Sequence, residues 1–144
     1  VYNLAEENGD VEDSGYEALE KRWKDGNAER SEKVKKGEVI YGLKEYTFQL
    51  YLDYELSTLK EKYCNDTSRE GMQLTEHEVL QHYQSRDWIF GGSEEKADLE
   101  TARIAVEREL REQKYDDMIT QRENGSQVEG NMKDVNRYTL KNIQ

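Results

Sequence analysis

"LTEHEVLQHYQSRDWIF", Leu74 to Phe90, holds both histidines of the chain and sets a glutamate directly after the first. It reads either as the helix of a zinc hydrolase or as an ordinary amphipathic helix, and the choice decides the fold class. The hydrolase motif is His-Glu-x-x-His, with its imidazoles at i and i+4 on one helix face. His77 and His82 stand at i and i+5, so at about 100° per residue they point roughly 140° apart. One tetrahedral zinc does not take both from an unbroken helix, and Glu78 has no metal-bound water to act on. No metal site, no cofactor and no catalytic residue are therefore expected. Thr75 followed three residues later by Glu78 is instead a capping box, whose hydroxyl and carboxylate satisfy free N–H groups of a first turn. A helix is predicted from about Glu76 to Ser85, burying Val79, Leu80 and Tyr83. Trp88, Ile89 and Phe90 follow as an aromatic knot before Gly91-Gly92, read as a core plug with a binding site as the alternative.

Downstream, "DLETARIAVERELREQKYDDMITQREN" (98–124) contains neither Gly nor Pro and would span about 40 Å as one helix. Leu99, Ala102, Val106 and Leu110 form one stripe. Ala97, Ile104, Tyr115 and Ile119 lie nearly opposite, and a helix apolar on two sides usually touches two partners. Asn124-Gly125 is expected to end it with a left-handed cap. The tail reads as a last short helix with Met132, Val135, Thr139 and Ile143 on one face.

Upstream, Thr47 can cap a helix from Phe48 to Cys64 whose stripe is Phe48, Tyr51, Leu52, Leu56, Leu59 and Tyr63. Before it, a helix from Ser14 or Gly15 to about Lys35 carries Tyr16, Leu19, Trp23, Asn27, Arg30 and Val34 at helical spacing. The two polar members form a structural pair, Asn27 and Arg30: either that face is buried and both are hydrogen-bonded, or the helix emerges into solvent there. Between these helices Gly37 and Gly42 bracket Glu38-Val39-Ile40-Tyr41, three of which favour strands. The expected partner of that short strand (38–41) is 126–130. Residues 1–14 read as an acidic arm, loosely docked or mobile, and 15–144 as a single helical domain. The fold class is thus mainly α, an elongated bundle of about five helices with one long C-terminal helix and a two-stranded element.

Composition sets the remaining bounds. Of 144 residues 37% are charged, the net charge is −11 and 34% are hydrophobic; the pI is about 4.7 and the mean hydropathy −1.14. Such a chain has narrow apolar seams, partly offset by ten Tyr, two Trp and two Phe. An acidic surface disfavours nucleic acid and anionic membranes as partners. No stretch approaches the roughly 20 apolar residues of a membrane span, so a membrane would be met only through an anchor upstream of Val1, where the chain reads as trimmed. The lone Cys64 forms no intrachain disulfide and reads as a packing residue. Asn65-Asp66-Thr67 and Asn124-Gly125-Ser126 match the glycosylation sequon, a triplet common by chance.

Taken in order, these pieces resemble the non-catalytic chaperone region of SurA- and PrsA-type foldases, and more narrowly foldase-related proteins of Gram-positive bacteria. The resemblance covers about residues 16 to 131. It rests on Asn27 and Arg30; on Gly37, Glu38, Val39, Tyr41 and Gly42; on Tyr46 and Phe48; and on Thr75, Glu78, Val79, His82 and Tyr83. His82 stands where such proteins have a tyrosine. Between Phe90 and Leu99 the chain has only "GGSEEKAD", too short for the prolyl isomerase domain many foldases insert there, so isomerase activity is not implied. What the resemblance implies is a non-enzymatic module outside the cytoplasm, at a bacterial cell surface, that holds unfolded or extended polypeptide. Tyr41, Tyr46, Tyr51, Tyr54, Tyr83 and Trp88 are the expected client-binding residues, against the competing reading of each as a core aromatic. The alternative function is assembly, a homodimer in which helix 98–124 packs on a second subunit.

Overall fold

The computed structural model describes the backbone of residues 1–143 and the side chains of residues 1–126. Five helices follow one another: α1 (Tyr2–Glu7), α2 (Tyr16–Lys35), α3 (Phe48–Asn65), α4 (Glu76–Gln84) and α5 (Leu99–Ile143). The fold is mainly α with one long C-terminal helix. No helix among the described residues is long and apolar enough to cross a membrane. The chain divides into two compact units, Val1–Lys62 and Tyr63–Gln144, each described by itself below.

In the first unit α1 buries Leu4 and Ala5, and Ala5 joins Val11 and Leu59 in a small apolar cluster edged by Val1 and Tyr2. The acidic stretch 1–14 is therefore tied to α3. Polar contacts reinforce this, with Lys62 Nζ 2.8 Å from Asp10 Oδ1 and the Tyr2 hydroxyl donating to Glu55 Oε2 at 2.9 Å. Glu55 also accepts from Arg22 Nε at 2.7 Å. Burial and the Glu55 hydrogen bond raise the Tyr2 phenol well above its ordinary value. Along α2, Leu19 is buried and Tyr16 and Trp23 both meet Phe48, at ring-centroid distances of 5.8 and 5.4 Å.

In the second unit α4 starts as its sequence announces. Glu78 N–H donates to Thr75 Oγ1 at 3.2 Å and Thr75 N–H to Glu78 Oε2 at 2.8 Å, closing the capping box. Asp98 plays the same part for α5, accepting from the Thr101 N–H at 2.8 Å. The two helices meet in a core of Val79, Trp88, Ala102 and Val106, flanked by Leu74, Tyr83, Ala97, Leu99 and Ala105. Trp88 is only 2% exposed, and its indole N–H donates to Tyr83 O at 3.0 Å. On α5 the second stripe is divided: Tyr115 is buried against Tyr63, rings 5.4 Å apart, whereas Ile104 is 84% exposed. Cys64 is buried, its thiol donating to Arg111 O at 3.8 Å.

Two expectations at the chain's β element and at the end of α5 fail together. No strand forms among the described residues: 38–41 is a loop, and 126–130 fall within the span of α5. Helix α5 runs through Asn124-Gly125 without a left-handed cap, since Gly125 has no positive φ. A single Gly costs a helix about 1 kcal/mol, which does not stop one already propagating from a capped, packed start. With 126–130 helical, 38–41 has no strand to pair with among the described residues. The expected apolar face of Met132, Val135, Thr139 and Ile143 lies outside the described side chains.

Two measurements check this account. Trp88→Ala empties the centre of the α4–α5 core and should cost about 3–5 kcal/mol, read by urea unfolding followed by circular dichroism. Glu78 should make stability acid-sensitive. The hydrogen bond from Lys114 Nζ (2.5 Å), then the Thr75 cap, hold its carboxyl down to about 2. The folded value lies below the unfolded one, so the contribution is complete above the ordinary carboxylate range and is lost as the pH falls towards 2. Lys114→Met should flatten that acid limb in a pH series of thermal unfolding.

Candidate functional site

The largest concentration of unusual chemistry in the first unit is the loop between α2 and α3 and the cleft beneath it. Side chains of α2 hold this loop in place of a partner strand. Trp23 Nε1 and Asn27 Nδ2 both donate to Tyr46 O, at 2.7 and 2.8 Å, and the Tyr46 N–H donates back to Asn27 Oδ1 at 2.9 Å. One turn on, Arg30 donates through Nε to Leu43 O at 2.7 Å and through Nη2 to Tyr41 O. Its guanidinium lies 4.9 Å from the centre of the Tyr46 ring. Asn27 and Arg30, half-buried, thus serve the backbone of the loop.

Glycine makes room for this arrangement at one point. Gly42 has φ +82°, and a Cβ there would sit 3.0 Å from the Tyr46 hydroxyl and 3.5 Å from Arg30 Nη2. Only glycine takes that conformation without strain. Gly26, inside α2, faces the Tyr51 ring, where a Cβ would make an ordinary van der Waals contact of 3.7 Å to Tyr51 Cε2.

What results is an open cleft of about 420 Å³ whose lining includes Tyr41, Tyr46, Tyr51 and Tyr54 together with Asn27, Arg30, Lys33 and Val39. Tyr46 and Tyr54 pack with ring centroids 5.8 Å apart. Burial, followed by the charge of Glu55, raises the Tyr51 phenol above its ordinary value, so at neutral pH it is an uncharged hydrogen-bonding group. The rim is strongly exposed, Val39 at 81% and Tyr41 at 88%. A surface of this kind suits contact with another polypeptide: flat rings and amphipathic hydroxyls beside the charges of Arg30, Lys33 and Glu29, with little conformational entropy to lose.

Of the six aromatic residues singled out from sequence, four therefore meet in one cleft and two do not. Tyr83 and Trp88 belong to the second unit, where Trp88 is core and the Tyr83 hydroxyl donates to Ala97 O at 2.7 Å. The spacing argument missed Val39 and Leu43, which rim the same loop and are 81% and 48% exposed. The available signal was the strand-like apolar run between Gly37 and Gly42, whose expected partner is 126–130.

The histidine stretch takes its own course. His77 is exposed. His82 Nε2 lies 3.2 Å from Glu109 Oε1, in a group with Arg86, whose guanidinium sits 3.7 Å from the centre of the Trp88 ring. Glu78 is committed to its cap and to Lys114. Among the described residues no cluster of three or more His, Cys, Asp or Glu side chains is placed to hold a metal ion.

No family model matches the chain, and no solved structure matches it significantly. It is 33% identical over 122 residues to the chaperone for lacto-N-biosidase of Bifidobacterium longum subsp. longum, a match covering 85% of this chain and 44% of that protein. The chain thus spans less than half the length of the curated relative it matches, and the similarity is to a chaperone.

Proposed function

We propose that the chain is a non-enzymatic chaperone module that binds unfolded or extended polypeptide outside the cytoplasm, and that the tyrosine cleft of the first unit is where the polypeptide lies. The observation that carries this reading is the convergence of Tyr41, Tyr46, Tyr51 and Tyr54 on one open cleft beside an apolar, exposed loop. The similarity to a chaperone for one kind of enzyme agrees with it, as does the resemblance of about residues 16 to 131 to the chaperone region of SurA- and PrsA-type foldases. By the first of these, the client we favour is an enzyme of the lacto-N-biosidase kind. The foldase resemblance is the ground for placing the module at a bacterial cell surface.

Homodimer assembly through α5 is the second reading, and Ile104 supports it. Its weakness is that Tyr115, on the same stripe, is already covered by Tyr63.

Dilution of a urea-unfolded lacto-N-biosidase into buffer, with and without the chain, tests the first reading through light scattering and recovered enzyme activity. The chain should suppress scattering and raise recovery. Tyr41 and Tyr54 are 88% and 56% exposed, so the double variant Tyr41→Ser/Tyr54→Ser should fold normally. It should nevertheless suppress about tenfold less well, aromatic anchors commonly carrying over 1 kcal/mol each. Gly42→Ala should act in the same direction by forcing the loop off Arg30 and Tyr46. Full suppression by both variants would remove the cleft from the mechanism. Mass by light scattering that doubles with concentration, and returns to the monomer in Ile104→Glu, would favour assembly instead.

A further inference from the structure

The turns of α2 and α3 that carry the Gly26–Tyr51 contact also carry a polar network that reaches the N-terminal arm. Glu55 lies one turn beyond Tyr51 on α3, and its side chain is only 12% exposed. One carboxylate oxygen accepts from Arg22 Nε of α2 at 2.7 Å and the other from the Tyr2 hydroxyl of α1 at 2.9 Å. Arg22, one turn before Gly26, donates a second time to the arm, through Nη1 to Asp13 O at 3.1 Å. The Tyr51 phenol lies within the field of both charges, Glu55 raising it after burial does and Arg22 lowering it. None of residues 1–14 lines the cleft, so the arm reaches Tyr51 through Glu55 and Arg22.

The arm is built to be docked or undocked as a piece. Helix α1 has six residues, too few to hold a helix on their own, so it persists through Ala5 and Val11 on Leu59 and Asp10 on Lys62. Arg22 is only just satisfied: its Nη2 is buried without a hydrogen-bond partner. Undocking removes the Asp13 carbonyl from Nη1 and the Tyr2 hydroxyl from Glu55. A buried unpaired donor is costly, so a guanidinium left with Nε alone is drawn towards water. The Arg22–Glu55 pair, once wetted, contributes little, and the 22–26 turn of α2 loses its polar tie to the Tyr51 turn of α3.

We propose that Tyr2, Glu55 and Arg22 are positioning residues for client binding: docking of the N-terminal arm holds α2 against α3 at Tyr51 and so sets the shape of the cleft. Coupling between two sites is reciprocal, so a client in the cleft tightens the arm by the factor with which the docked arm tightens the client. The arm acts without touching the client. This inference rests on the proposed function and adds to it a means of control, since whatever frees the arm weakens the hold on the client.

The test uses the full chain and a short fluorescein-labelled peptide of alternating Leu and Ser. Tyr2→Phe removes one hydroxyl outside the cleft and should leave the circular dichroism spectrum unchanged. It should weaken the peptide about fivefold by fluorescence anisotropy, a usual size for a contact that acts at a distance. Lys21→Ala, on a side chain of α2 that is 77% exposed, should change nothing. In a Tyr51→Ala background Tyr2→Phe should have no further effect, and in a Tyr41→Ser background its full effect. Hydrogen exchange on the unsubstituted chain supplies the reciprocal reading: saturating peptide should slow the Ala5 and Asn8 amides of the arm, bonded to Val1 O and Leu4 O, by a similar factor. That measurement needs no variant and decides the matter even where a substitution disturbs folding. Undiminished binding by Tyr2→Phe, or arm amides indifferent to the peptide, overturns the inference and leaves the cleft reading intact. A peptide that the unsubstituted chain does not bind overturns both.

Discussion

The first unit depends on one constraint: a loop of strand-forming residues has no strand to pair with among the described residues. Its backbone groups must still be satisfied or left to water. Three side chains of α2, Trp23, Asn27 and Arg30, spaced at four and three residues, supply the partners. Tyr46 O receives two donors and Tyr46 N–H gives one, so the chain two residues before α3 is fixed against α2. Neutral bonds of this type contribute about 1 kcal/mol each, and those from a charged guanidinium somewhat more. Their larger effect is geometric, because where Tyr46 is fixed, so is its ring between Arg30 and Tyr54.

This division of labour follows from the composition. With only 34% hydrophobic residues, neither unit can rely on a large apolar interior. The first has a cluster of Ala5, Val11 and Leu59; the second has Val79, Trp88, Ala102 and Val106. Around each, half-buried polar groups join what packing alone would leave loose. Arg22 and Glu55 connect α2 to α3, with side chains 27% and 12% exposed, and Arg111 ties α5 to the backbone of the fully buried Met72 at 3.1 Å. Surface pairs such as Lys21–Asp25, 77% and 65% exposed, contribute little beside these.

The sequence was most legible where a local pattern and a tertiary contact agreed. Thr75 and Glu78 announced the start of α4 by chemistry that needs nothing outside four residues. The stripe from Tyr16 to Val34 identified the face of α2 that meets the loop, and four of the six chosen aromatics fell in one cleft because they sit on the loop and on the first turns of α3. Legibility failed where the outcome depended on remote or cumulative effects. α1 is six residues long, too short to show a period, and exists through burial of Leu4 and Ala5. Gly125 carries the residue type of a cap but lies within a helix that its neighbours sustain. Tyr83 and Trp88 looked like the other aromatics; what removes them from the cleft is tertiary placement in the second unit, which spacing does not encode.

An exposed cluster of tyrosines and aliphatic side chains would ordinarily invite self-association. Here the acidic charge spread over the rest of the chain opposes it, since like-charged copies repel before their apolar rims can meet. Tyr41 and Val39 can remain uncovered because the charge around them, rather than a lid, limits what comes near. The polar composition that makes the cores thin is thus the property that permits an open binding face.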